Sequence, residues 1–280
     1  MNLLRVIVAT GISLFGILFL AFVAASPLGW VSAYPAMPEK AINREWGEII
    51  PIKDVKSLYK KKDEETTTYY KRLVNAVFEG IGRFWVVGKG WQPSDAIYTR
   101  VSPWDNYLLW GYSFLPGHEH FAQYEFAIPQ KTIDRGYGFC SQVARMVYYI
   151  LHDQGIKATV KHHPNHVIVA VDEGIIDANY GVFVPHTTEQ MRDNQQIIET
   201  YYNRLPKELP AVRRIFSEMT GKWRVPTDHD ALYAYMMRVE VIAEIFKWFP
   251  PVFLILAGPF LLFASSRRNK LSIRDKAVKA

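Results

Sequence analysis

The chain has 280 residues, 49% apolar and 14% aromatic, which is room for one good-sized domain and additional elements. Its net charge of +6 reflects 33 basic and 27 acidic residues, and eight of the basic ones are Arg5, Lys247 and six residues of the C-terminal tail. With those and Asp275 set aside, 25 basic residues face 26 acidic ones, so the charge marks the ends of the chain and excludes a nucleic-acid surface.

Val6 to Ala25 is twenty residues without a charge, about the length that spans a bilayer core. A cleaved signal peptide with Val31-Ser32-Ala33 as its site would have a shorter apolar region, about 7–15 residues. The expectation is therefore an uncleaved transmembrane anchor over residues 1–29. Residues 30–65 hold Pro35, Pro38 and Pro51 and the charged run Lys60-Lys-Lys-Asp-Glu-Glu65, and they read as a neck that sets a domain away from the membrane.

A domain is expected over residues 66–225. Thr66 to Gly82 carries Tyr70, Leu73, Val74, Val77, Phe78 and Ile81 at helical spacing. Trp46, Trp85, Trp91, Trp104 and Trp110 surround or follow this helix as packing residues, and the aromatics of 85–114 are also candidates to line a groove. Cys140 to Gln154 reads as a helix with the stripe Val143, Ala144, Val147, Tyr148 and Leu151, stopped by Gly155. Ile156–His162, His166–Val171 and Ile175–Val184 follow as strands, with turns at Pro164-Asn165 and Asp172-Glu-Gly174. A helix followed by an antiparallel meander is an α+β pattern. Thr187–Arg204 and Ala211–Thr220 are expected to be helical, as is Asp228–Lys247 within a connecting segment, 226–247.

Trp248 to Ser265 is a second charge-free stretch, and a transmembrane helix is expected over 248–266 despite Pro250, Pro251 and Pro259. The tail 267–280 contains Arg267, Arg268, Lys270, Arg274, Lys276 and Lys279 against one acid. The positive-inside tendency then puts both termini in the cytoplasm and residues 30–246 outside, in a periplasm or its equivalent.

Cys140 is the only cysteine, so an internal disulfide cannot account for it. The thiolate is the reactive form of cysteine, and a helix N-terminus or a nearby imidazolium favours it. Gly136 and Gly138 would let the chain approach closely and leave room for a substrate carbonyl, with the Cys140 N–H as an oxyanion donor. His166 is the candidate base. A two-residue loop at Asp172-Glu173 sets Asn179 opposite His166 with Asp177 diagonal, and a turn shifted back by one sets Asp177 directly opposite. Asp177 and Asn179 share a face, so either can receive the imidazole N–H. Each residue also has a structural explanation: a small buried thiol, a satisfied strand histidine, a turn aspartate.

The run Arg135-Gly-Tyr-Gly-Phe-Cys140-Ser-Gln-Val-Ala144, then Leu151, Gly155-Ile-Lys-Ala158, His166-Val-Ile-Val and Asp177, resembles the transglutaminase-like superfamily over about residues 134–184. The resemblance implies a papain-like α+β fold with a catalytic helix on an antiparallel sheet. It also implies a triad in which Cys140 attacks a carbonyl, His166 moves protons and Asp177 orients His166. The thioester would pass to water or to an amine. The implied partners are a protein or peptide substrate, a cell-envelope peptide among them, and the lipid bilayer; no cofactor or metal is implied. Two departures stand out: only eleven residues separate His166 from Asp177, and the aromatic often found two positions after the histidine is missing. The family's second oxyanion donor comes from upstream, with Trp104, Trp110, Gln123 and Gln130 as candidates. A catalytically silent scaffold of the same fold is the competing expectation. A metal site built on His118-Glu-His120 and His162-His163 is a third, which matches no ligand spacing set.

Overall fold

A computed structural model describes residues 3–37, 47–84, 93–163, 166–217 and 229–278. Trp46, Trp85, Trp91, the Pro164-Asn165 turn, residues 218–228 and the side chains of Glu119, His120 and the basic tail lie outside the described residues. The helices are α1 (Leu3–Ala25), α2 (Thr66–Gly80), α3 (Ala96–Thr99), α4 (Pro103–Tyr112), α5 (Pro129–Arg135), α6 (Cys140–Asp153), α7 (Thr188–Asp193), α8 (Gln195–Tyr201), α9 (Leu209–Ser217), α10 (His229–Phe246) and α11 (Phe249–Val278). The strands are β1 (Gly82–Arg83), β2 (Tyr137–Gly138), β3 (Ala158–His163), β4 (His166–Val171), β5 (Gly174–Asp177) and β6 (Val182–Val184).

The chain forms two compact units. One comprises Met1–Tyr34, Val101–Phe121 and Val241–Ala280. Leu3–Ala25 lies in it and Ala234–Ala264 lies mostly in it, and both have the length and composition to cross a membrane and are largely exposed. α1 and α11 pack through small residues. Ser13 Oγ donates to the Ile255 carbonyl at 3.2 Å, and a Cβ on Gly16 would come within 2.7 Å of Ile255 N. A Cβ on Gly258 would overlap Ser13 Oγ and the Ala9 carbonyl. Such close backbone approach is how helices associate where lipid removes the hydrophobic drive between them.

The other unit, Pro35–Arg100 with Ala122–Glu240, is mixed α+β. Its main sheet is an antiparallel meander in the order β3-β4-β5-β6. One face, through Val160, Val167, Val169, Ile176 and Phe183, packs on α2 and α6. The other, through Ile168, Ile175, Val182 and Val184, packs on Met191, Ile198, Val212 and Phe216 of α7–α9. The predicted stripe of α2 is buried throughout, and α6 goes beyond its predicted stripe, being buried continuously from Gln142 to Leu151. Gly155, at φ 71°, ends α6 with Ile156 N donating to the Leu151 carbonyl at 3.0 Å.

Several elements differ from the sequence expectation. Ile175–Val184 is two strands, because the chain reverses over 178–181 with Gly181 at φ 69° against the Phe78 ring. The helix expected over Thr187–Arg204 breaks at Asn194, whose Oδ1 caps α8 by accepting from Gln196 N at 3.1 Å. The expected neck is in part packed: Leu58 joins the core, Ile50 N donates to the Glu79 carbonyl at 2.7 Å, and Glu65 caps α2. Residues 101–121 group with the apolar helices, although the chain on either side of them belongs to the α+β unit.

Candidate active site

Element lengths bring the site together. α6 has 14 residues, about 21 Å of helix. β3 runs back over six residues, about 20 Å of strand, so the start of β4 returns to the N-terminus of α6. His166 is the first residue of β4 and Cys140 the first of α6. The thiol of Cys140 is half-buried and hydrogen-bonds the imidazole. As the first residue of the helix, Cys140 also carries one of the four N–H groups that have no intrahelical acceptor.

The hairpin register places the two candidate partners of His166. Val171 pairs with Gly174 and Val169 with Ile176, so the loop is the two residues Asp172-Glu173, and Asp177 lies diagonal to His166. That tight loop needs Gly174, at φ 146°, where a Cβ would overlap the Val184 carbonyl. Asp177 Oδ2 accepts from His166 Nε2 at 2.8 Å and from the Tyr202 hydroxyl at 3.0 Å. Its Oδ1 accepts from the backbone N–H of Asn179 at 3.1 Å and of Tyr180 at 3.3 Å. The carboxylate is wholly buried, and all four of its partners donate. With Nε2 bonded to Asp177, Nδ1 is the imidazole nitrogen left for the thiol. Burial opposes a charged His166, but the Asp177 carboxylate, and after it Cys140, outweigh burial and raise the imidazole pKa to about 10. The Tyr180 ring stands edge-on to His166 with centroids 5.3 Å apart.

Asn179, the alternative orienter, is committed elsewhere: Arg83 Nε donates to its Oδ1 at 2.9 Å, and Arg83 Nη2 donates to the Ala178 carbonyl at 3.1 Å. The Arg83 guanidinium is buried over the Phe78 ring, 4.2 Å from its centroid. Burial works against its charge, and the Asp177 carboxylate supports it.

The glycines before Cys140 have other duties than leaving room for a carbonyl. Gly136, at φ 74°, is the left-handed cap of α5, and its N–H donates to the Thr132 carbonyl at 3.0 Å. The space a Cβ on Gly138 would take is filled by Gln142, whose Cγ would lie 2.7 Å away. Gln142 Nε2 donates to the Phe126 carbonyl at 3.0 Å and to Thr132 Oγ1 at 2.8 Å, and its Oε1 accepts from Phe126 N. That pins residues 124–127 beside the start of α6. There Glu125 accepts from the Ser141 hydroxyl and pairs with Arg145 at 2.9 Å.

The upstream oxyanion candidates fare differently. Gln130 is occupied, accepting from Val55 N at 3.0 Å and donating to Asp134 at 2.9 Å. Gln123 is exposed, and Trp104 and Trp110 belong to the unit with the apolar helices. Among the described residues no group of three or more His, Cys, Asp or Glu is arranged to hold a metal ion. Sequence reasoning missed Tyr202, Arg83 and Glu125. The last two carried a faint signal as single charges among apolar neighbours, Ile81-Gly-Arg83-Phe84 and Tyr124-Glu125-Phe126. No family model matches the chain, and no curated protein and no solved structure matches it.

Proposed function

We propose that the protein is a membrane-anchored, transglutaminase-like cysteine enzyme whose α+β unit acts outside the cytoplasmic membrane on a protein or peptide substrate. The observation that carries this reading is the Cys140–His166–Asp177 constellation: a half-buried thiol at a helix start, hydrogen-bonded to an imidazole whose other nitrogen rests on a wholly buried carboxylate. A raised imidazole pKa of about 10 favours imidazolium at neutral pH, the partner a thiolate needs. Two apolar helices and the basic residues at both ends support the anchor and its orientation.

The Cys140 thiolate attacks an acyl carbonyl, and the oxyanion that forms accepts a hydrogen bond from the Cys140 N–H. His166 gives its Nδ1 proton to the leaving amine as the C–N bond breaks, leaving a thioester on Cys140. Water or a second amine then attacks the thioester, His166 takes the proton from that nucleophile, and the C–S bond breaks to release the thiolate, which restores the starting thiolate–imidazolium pair. Asp177 keeps the Nε2 proton in place throughout, so the shuttling proton is always the one on the cysteine side.

The test is acid-quenched mass spectrometry of the Cys140-containing peptide after incubation with cell-envelope peptides, beside iodoacetamide labelling at neutral pH. An acyl mass on Cys140, absent from His166→Ala, is expected. A thiol inert to both treatments would sink the enzymatic reading in favour of a silent scaffold.

A further inference from the structure

Asn106 to Gly117 is a run of twelve residues without a charge. It is too short to cross a bilayer, which takes about 20 residues as a helix. It is not a core segment either: Trp110 is 38% exposed, Tyr112 41%, Phe114 58% and Leu115 50%. Five of the eleven residues 104–114 are aromatic, and four of those five are the Trp and Tyr residues with a polar edge at 104, 107, 110 and 112. Rings of that kind favour the layer where hydrocarbon gives way to headgroups.

The segment is fastened to one end of the apolar helix pair. Trp104 packs on Phe22 with centroids 4.5 Å apart, and Tyr107 packs on Phe19 at 4.9 Å, both in the last two turns of α1. The Tyr107 hydroxyl donates to the Lys247 carbonyl at 3.0 Å, and Lys247 Nζ donates to the Asp105 carbonyl at 2.7 Å, two residues before α11 begins. Within α4 the backbone breaks at Asn106 (φ −152°, ψ 98°). Its side chain restarts the helix, with Oδ1 accepting from Leu108 N and Leu109 N at 3.1 Å and Nδ2 donating to Glu244 at 2.8 Å.

Beyond the helix the backbone stays internally bonded. Ser113 N donates to the Leu109 carbonyl at 3.0 Å, Phe114 N to Gly111 at 3.2 Å, Leu115 N to Tyr112 at 3.1 Å and His118 N to Leu115 at 3.1 Å. An irregular segment with no need of water is what a nonaqueous layer admits. The exposed apolar face therefore continues the lipid-facing surface of the helices it is fastened to.

We infer that residues 104–115 form an interfacial membrane element, with Trp110, Phe114 and Leu115 inserted at the headgroup–acyl boundary of the lipid bilayer. The inference rests on the reading that α1 and α11 span that bilayer. The experiment uses the full chain in phosphatidylcholine vesicles with Cys140→Ser, so that each added cysteine carries the only NBD label. Phe114→Cys and Leu115→Cys are expected to give blue-shifted emission, quenched more by nitroxide lipids labelled near the headgroup than by lipids labelled deep in the acyl chain. Ile97→Cys, at a 69% exposed position, should keep water-like emission. Phe15→Cys, mid-way along α1, should be quenched most by the deep nitroxide. Water-like emission at 114 and 115, or blue-shifted emission that no nitroxide lipid quenches, as under a second copy of the chain, overturns the inference while leaving the spans intact. Stronger quenching by the deep label at 114 also overturns it, as a re-entrant segment. Failure at Phe15 removes the spans and the inference with them.

Discussion

Asp177→Asn tests the site at its most constrained point. The wild-type carboxylate accepts from four donors and has none of its own to place. An asparagine has one oxygen, and its NH2 must face two of those donors. The backbone N–H groups of Asn179 and Tyr180 cannot reverse their role, so the oxygen goes to them. The NH2 then faces Tyr202, whose hydroxyl can rotate to accept, and His166, which can accept only by moving its proton to Nδ1. That tautomer turns an N–H toward the thiol and has no nitrogen free to take its proton. The substitution also takes away the larger of the two groups that favour the charged imidazole, leaving only Cys140 against burial, so the imidazolium is disfavoured. The assay is the rate of Cys140 alkylation by iodoacetamide from pH 6 to 9, which reports one site because the chain has one cysteine. The wild type should label rapidly with little pH dependence. A thiol without an imidazolium partner is only a few per cent thiolate near neutral pH, so the variant should label about 30-fold more slowly there and gain rate as pH rises. Stability gives an independent readout. His166 has a folded pKa raised from 6.5 to about 10, so its contribution is present in full below about 6.5 and is lost as pH rises through about 10. At about 1.4 kcal/mol per unit the whole window is of order 5 kcal/mol. Thermal melting in detergent should therefore decline with pH across that window in the wild type and show little of that slope in the variant. A variant whose labelling profile matches the wild type would refute the assignment of Asp177 as orienter.

Five further substitutions follow from the packing. Tyr202→Phe removes one donor from Asp177 Oδ2 but leaves His166 in place, so melting should show a loss of about 1 kcal/mol with the alkylation profile kept. Gly174→Ala sets a Cβ against the Val184 carbonyl at a φ of 146° and should cost about 3 kcal/mol or more. Gly155→Ala, with φ 71° but open space around it, should cost only about 1 kcal/mol by the same melting measurement. Gly258→Ile forces α1 and α11 apart and should lower the melting temperature in detergent, whereas Gly11→Ala, with nothing within 4 Å of its added Cβ, should leave it unchanged.

What was legible in the sequence is what local physics decides. α6 declares itself by its apolar spacing and its exit at Gly155, α2 by its stripe, and β4 by its run of β-branched residues. The placement of Cys140 and His166 follows from those elements alone. The partner of His166 was not legible, because the two-residue loop sets Asn179 opposite His166 and Asp177 diagonal, and Asp177 takes the imidazole while the distant Arg83 holds Asn179. The split of β5 from β6 was hidden for a similar reason: the reversal is held by Phe78 and by the side chain of Asp177 capping two N–H groups. Tyr202 reaches Asp177 across 25 residues and carries no local mark at all. The partial docking of the neck was masked by its prolines and charges, although Ile52, Val55, Leu58 and Tyr59 pack it on the core.

Arg83 joins these hidden contacts into one device. It sits on β1, which pairs in parallel with β2: Gly82 N donates to the Gly136 carbonyl at 2.8 Å and Phe84 N to the Gly138 carbonyl at 2.9 Å. Those carbonyls lie four and two residues before Cys140, so β1 holds the approach to Cys140. The side chain of Arg83 leaves that strand and bonds Ala178 and Asn179, the first residues of the bend whose N–H groups hold Asp177. A single buried guanidinium thus ties the segment that leads to Cys140 to the bend that holds Asp177 beside His166. A buried charge is costly to keep, and a purely structural tie of this kind is served as well by apolar packing. What apolar packing does not supply is directional hold on a carbonyl and an amide within a turn, together with positive charge close enough to act on the Asp177 carboxylate. Both hold the bend that fixes Asp177 beside His166, so the requirement that explains Arg83 is the one set by the thiol–imidazole pair.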